Sequence, residues 1–135
     1  IWEAKLLGAS AILLIAAILE EKQILQFYNL AQQLGLDALI EVHDEAEMRK
    51  ILNVKPQTVG VNNRNLHNFE VSLDVSKKLI GEFENAEISV WVSESGISEK
   101  QHICELMDCG FKGFLIGESL LRVAEPASKL KELVS

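Results

Sequence analysis

The stretch Asp37-Ala-Leu-Ile-Glu-Val-His-Asp-Glu-Ala-Glu-Met-Arg-Lys-Ile-Leu52 changes its hydrophobic period midway. Its first part, Ala38–Val42, is a short apolar run of the length expected for a buried strand. From Asp44 onward, Ala46, Met48, Ile51 and Leu52 fall at helical spacing. Asp44 suits an N-cap, and Glu47, three residues later, stands where a capping box needs its second acid. A strand therefore passes directly into a helix.

The same change of period recurs in both directions. Ala11–Ile15, Thr58–Val61, Ile88–Val92 and Gly113–Ile116 are the other strand-like runs. Ile24, Phe27, Tyr28, Ala31 and Leu34 form one helical stripe, ended by Gly35. Leu73, Lys77 and Ile80 form another, ended by Gly81. Ser98 would cap a further helix through Ile103, Leu106 and Met107, with Gly110 after it, and a last helix follows Pro126. Alternating strands and helices imply right-handed βαβ units and a parallel sheet covered by helices. Five such units suit a slice of a (β/α)₈ barrel or a small doubly wound sheet. A complete barrel takes about 250 residues, and 135 residues leave room for little more than half. No linker or low-complexity segment divides the chain, so residues 1–135 read as one unit.

Composition narrows the function. Acidic residues outnumber basic ones 20 to 13, for a formal charge of −7. That balance disfavours a nucleic-acid groove or an anionic membrane surface. The longest apolar run, Ala11 to Leu19, is far shorter than the roughly 20 residues of a spanning helix. Cys104 and Cys109 lack C-x-x-C spacing and read as reduced thiols. A cytoplasmic protein is the expectation, or one of the plastid stroma if the source is a plant or alga. Ile1 opens the chain, and Trp2–Leu7 reads as helix interior without an N-cap, as though the sequence began in the middle of a larger fold.

Ligands of parallel α/β sheets meet the C-terminal ends of the strands. Leu39, Glu41 and His43 share one face of their strand, with Ile40 and Val42 on the other. A carboxylate in such a run is either a satisfied ion pair or a proton-transfer group with a raised pKa. His43 suits a turn or capping role as well as a chemical one. In Val59-Gly-Val-Asn-Asn-Arg-Asn-Leu66 an apolar strand runs into hydrogen-bonding residues, and Arg64 adds a fork suited to a carboxylate or phosphate. Ser93-Glu-Ser-Gly-Ile97 and Ile116-Gly-Glu-Ser119 are two neighbouring Gly-containing turns before helices. Paired in this way, they match the phosphate cradle recurrent in barrels.

Together, Glu41-Val-His43, Gly60-Val-Asn-Asn-Arg-Asn-Leu66, Ser93-Glu-Ser-Gly-Ile97 and Leu115-Ile-Gly-Glu-Ser119 resemble indole-3-glycerol phosphate synthase. Gly8-Ala-Ser-Ala-Ile-Leu-Leu-Ile15 is similar to that family's fourth strand. The resemblance implies a partial (β/α)₈ TIM barrel comprising the fourth to eighth strands. It also implies a lyase of tryptophan biosynthesis, which closes the indole ring of 1-(2-carboxyphenylamino)-1-deoxyribulose 5-phosphate with loss of carbon dioxide and water. No metal or organic cofactor is implied. By the same resemblance, Glu41 is the general base for the dehydration and Asn62 hydrogen-bonds the substrate hydroxyls. Arg64 positions the substrate, Glu94 and Ser95 line the site, and Gly96, Gly117 and Glu118 offer backbone N–H groups to the phosphate.

The family's first three strands, with a lysine beside a Ser-Pro-Ser segment and the general-acid lysine, have no counterpart here. Loss of one general acid costs about 10²–10⁴ in rate, so the chain alone is expected to be inactive or nearly so. Five strands cannot close an eight-stranded barrel. The expectation is association through the open edges, with further copies or with a complementary N-terminal half. Two alternatives are another ribulose-phosphate-type barrel, which Asn62–Asn65 with Glu41 disfavours, and a non-catalytic phosphate-binding half barrel.

Overall fold

The computed structural model describes residues 1–66 and 68–135. Five parallel strands, β1 (Ala11–Ile15), β2 (Asp37–Val42), β3 (Thr58–Asn62), β4 (Val90–Glu94) and β5 (Gly113–Leu115), lie side by side in chain order. Helix α1 (Trp2–Leu6) precedes β1. Helices α2 (Glu21–Gln33), α3 (Glu45–Ile51), α4 (Asp74–Glu82) and α5 (Lys100–Asp108) make the four crossovers, and α6 (Glu118–Leu121) and α7 (Pro126–Val134) follow β5.

The two faces of the sheet differ. The helix-covered face carries Leu14, Ile40, Val59, Val61 and Trp91, all buried. They pack against Ile24 and Ala31 of α2, Met48 and Ile51 of α3, Leu79 of α4 and Leu106 of α5. That layer supplies most of the hydrophobic stabilisation. Leu13 pairs with Leu39, and Val92 with Gly113, on the opposite face. There Leu13 and Leu115, on the two edge strands, remain 47% and 49% exposed. The inner face is a half-open concavity, not a packed barrel interior.

Three local expectations need correction. The fourth strand begins at Val90, two residues later than the apolar run suggests, because the amides of Ser89 and Val90 both turn to the carbonyl of Gln57. It also runs on to Glu94, whose carbonyl is bonded by the Asn63 amide. Gly81 does not end α4, which continues to Glu82 and is capped at Phe83, where the ring enters the core. Ser98 does not cap α5: Glu99 takes the extended cap conformation instead.

Asp44 does cap α3, its carboxylate accepting from the Glu47 amide at 2.8 Å. The reciprocal half of the capping box is displaced by one residue, since Glu47 accepts from the His43 amide at 2.8 Å. Among the described residues, no helix is long and apolar enough to cross a membrane.

Candidate functional site

Glu41 and Glu94 end two strands that flank β3. Register places Glu41 beside Gly60, and Gly60 beside Val92, so all three side-chain positions share the inner face. Both carboxyls are buried, Glu41 at 6% and Glu94 at 3% exposure. Gly60 leaves the space between them. A Cβ at this position would overlap Glu94 Oε1 and stand 2.9 Å from its Cδ. The Glu94 side chain therefore lies across β3 and reaches the Glu41 carboxyl. Burial, then the negative charge of Glu41 and a hydrogen bond to it, push the Glu94 pKa up to about 8. At neutral pH that pair holds a proton.

His43 closes the cluster on the other side of Glu41. Its Nδ1 lies 3.1 Å from Glu47 Oε2 and its Nε2 lies 3.3 Å from Glu41 Oε1. The Glu47 hydrogen bond is the main cause of a raised imidazole pKa; Glu41 and Asp44 add to it, and burial opposes it. The chain thus sets Glu47, His43, Glu41 and Glu94 in one row.

The exit of β3 is held by a buried amide. Asn63 Nδ2 donates to Ser93 Oγ and the Glu94 carbonyl, each at 2.9 Å, and to the Ser95 carbonyl at 3.1 Å. Its Oδ1 accepts from the Ser76 amide, and Ser76 Oγ meets Ser93 Oγ at 2.8 Å. This network fixes the end of β4, where Ser95 has φ +65° and Gly96 φ +77°. A Cβ on Gly96 would run into Val71, so only glycine fits the turn without displacement. Asn62 accepts from the Arg64 amide at 3.0 Å, a local turn that presents Arg64 to the concavity.

Arg64, Ser95, Gly96, Gly117 and Glu118 line one cavity of about 480 Å³, together with Ser98, Ser119 and Arg122. The structure therefore brings together five of the six residues assigned to substrate and phosphate binding; the sixth, Glu94, lies in the carboxyl cluster instead. Arg64 pairs with the Glu118 carboxylate, and Arg122 pairs with its other oxygen at 2.7 Å. Two guanidinium groups and the amides of a left-handed turn suit a small anion, and the Glu118 side chain fills that role between the arginines here. Asn62 and His43 line a second cavity of about 310 Å³ that also reaches Arg64. Glu41 lines neither cavity; it faces the concavity through the carboxyl cluster.

Three participants are not evident from the sequence. Gly60 reads as one glycine in a strand, although its position across from Glu41 follows once the two strands are set in register. Asn63 reads as a loop residue and is a buried hub. The sequence leaves His43 open between turn and chemistry; it does both, through its amide and its ring. No lysine lines either cavity among the described residues. Lys50 reaches the exit of β1 from α3, but its ammonium donates to the Ala16 and Leu19 carbonyls.

The family model described as indole-3-glycerol phosphate synthase matches residues 1–133. The protein of that name from Lachnospira eligens is 43% identical over 136 residues, covering 98% of this chain and 50% of the relative. The one from Paracidovorax citrulli is 44% identical over 133 residues, covering 98% and 49%. The chain thus spans about half the length of the curated relatives it matches. Among solved structures, a chain of the tryptophan synthase α2β2 complex from Pyrococcus furiosus superposes with a TM-score of 0.74 at 18% identity, over 98% of this chain and 58% of that one. That likeness carries the TIM-barrel architecture alone.

Proposed function

The chain belongs to the indole-3-glycerol phosphate synthase family, and from that membership we propose that its sheet carries the base and phosphate-binding side of the lyase site. The substrate is 1-(2-carboxyphenylamino)-1-deoxyribulose 5-phosphate. Its phosphate sits between the Ser95–Gly96 turn and the Gly117–Glu118 turn, with amides of Gly96, Gly117 and Glu118 as donors and the arginines as countercharge. Arg64 turns from Glu118 to the substrate, and Asn62 meets the hydroxyls of the ribulose chain. Glu41 takes the proton released in the dehydration, with Glu94 and Ser95 lining the site. Such a biosynthetic step belongs in the cytoplasm.

The observation that carries this reading is the convergence, at one end of one sheet, of a buried carboxyl pair and a two-turn anion cavity sharing Arg64 with its neighbour. Turnover needs a proton donor for the departing oxygen as well. Among the described residues, the lysine that reaches a strand exit beside the cluster, Lys50, is committed to two carbonyls. The chain alone therefore binds without turning over. Exposed Leu13 on β1 and Leu115 on β5 lie along the open face, and we extend the proposal to association there, with a second copy or with a complementary N-terminal half.

Phosphorus NMR of the substrate titrated with this chain tests the reading. Expected are a shifted phosphate resonance, loss of the shift in Gly96→Val, and no indole product. An unshifted resonance at millimolar substrate would overturn it.

A further inference from the structure

The row Glu47–His43–Glu41–Glu94 has a feature that a base acting alone does not require. Two carboxyls, Glu47 and Glu41, flank one imidazole and a third, Glu94, stands beyond Glu41; Glu41 and Glu94 are buried where an isolated charge is expensive. His43 Nε2 and Glu94 Oε1 are buried polar atoms with no hydrogen-bond partner among the described residues, and both belong to this row. Unpaired buried polar atoms are uncommon in folded proteins and mark places where a proton or a ligand is still to be accommodated. Gly60 removes the side chain that would otherwise separate the two buried carboxyls. The arrangement is built into three elements: the end of β2, the end of β4, and the first turn of α3.

We propose that Glu94 holds a proton toward an ionised Glu41 at neutral pH, and that His43, turned by Glu47, is the positioning residue that keeps Glu41 ionised. This deepens the reading of Glu41 as the base and rests on it. With Glu47 accepting at Nδ1, Nε2 stands 3.3 Å from Glu41 Oε1 without a formed hydrogen bond, and the positive charge of the imidazolium beside it favours the carboxylate. Glu94 then carries the proton that two adjacent carboxyls cannot both lose. When Glu41 takes up one proton from the substrate, the pair moves from one proton to two, and its charge from −1 to zero. No redox partner or further group is involved.

Among the described residues, the ionisable groups facing the row are few. Around His43 they are Glu41 on β2, Glu47 on α3 and Asp44 at its cap; around Glu94 they are Glu41 and His43. Strand β1 contributes only apolar residues, and β3 contributes Gly60 and Asn62. Arg64 is engaged with Glu118.

Carbon-13 NMR of side-chain-labelled glutamates, with nitrogen-15 NMR of the imidazole, tests this on the full chain without substrate. One glutamate should titrate near pH 8. In Glu41→Gln its transition should move down, because a like charge is lost. In His43→Gln it should move up, because a cation is lost. In Glu47→Gln the Glu94 carboxyl stays raised while the His43 transition falls. A residue that only packs would move neither resonance in opposite senses. If all glutamates titrate below pH 6, or if the two substitutions shift Glu94 in the same direction, the proposal is overturned. Because no substrate is present, that result would leave the phosphate-binding test untouched; failure of that test alone would remove the substrate and keep the proton pair.

Discussion

At the scale of single residues, Gly60 and Asn63 make the site possible without touching a ligand. Gly60→Ala places a methyl against Glu94 and, at 3.2 Å, against Leu39 Cδ1. The expected cost is about 1–3 kcal/mol, as for other overpacked positions, measured by urea unfolding; an unchanged midpoint would mean that Glu94 does not cross β3. Asn63→Ala removes a carboxamide whose two N–H groups are shared among three acceptors and whose oxygen accepts one hydrogen bond, and leaves buried partners behind. About 2–3 kcal/mol is expected from the stranded polar groups, together with faster proteolysis at the Ser95–Gly96 turn. Neither role is legible in the sequence. A glycine in a strand announces a close approach but not what approaches, and an asparagine before a turn looks alike whether it is exposed or at the centre of a network. Glu41, by contrast, is legible, because a lone acid on the inward parity of an apolar strand is too costly to bury without a partner or a task.

The same residues set a pH dependence of stability. Glu94 is held above its ordinary range in the folded chain, so between pH 4.5 and about 8 the folded state binds more protons than the unfolded one. His43 acts in the same sense, since its raised pKa gives stability that is full below 6.5 and is lost as pH rises through the folded value. Thermal unfolding midpoints should therefore fall from pH 5 to pH 8.5 and level off above. Glu94→Gln should flatten most of that slope. A midpoint that rises across this range would contradict the protonation state assigned to the pair.

At the scale of elements, the crossovers are readable because each strand and helix carries its own period. Asp44 shows how far that reading goes. Its capping role follows from the sequence, and Asp44→Ala should cost about 1 kcal/mol, read as a lowered unfolding midpoint. The partner of Glu47 is not readable, because the choice between the Asp44 and His43 amides depends on how α3 leaves the sheet. Strand ends fail for a similar reason. Glu94 and Ser95 look like loop by composition, yet the hydrogen bonds of Asn63 extend β4 to Glu94. Gly81 misleads because a glycine facing open space is tolerated inside a helix at modest cost.

At the scale of the whole molecule, order in sequence equals order in the sheet, which is why the topology is the most legible property of all. The open concavity is equally implied by length, since five strands curve without closing. It leaves half-exposed leucines on both edge strands and an apolar inner face in water, the surface on which the association proposed above rests.

The most direct measurement is indole-3-glycerol phosphate formation when this chain is mixed with the N-terminal half of a full-length relative, followed by product fluorescence. The expectation is negligible product from either component alone, turnover from the mixture, and loss of about 10²-fold or more in the mixture when this chain carries Glu41→Gln. Turnover by the chain alone at the rate of the mixture would contradict it. So would an assembled mixture in which Glu41→Gln turns over as fast as the unaltered chain.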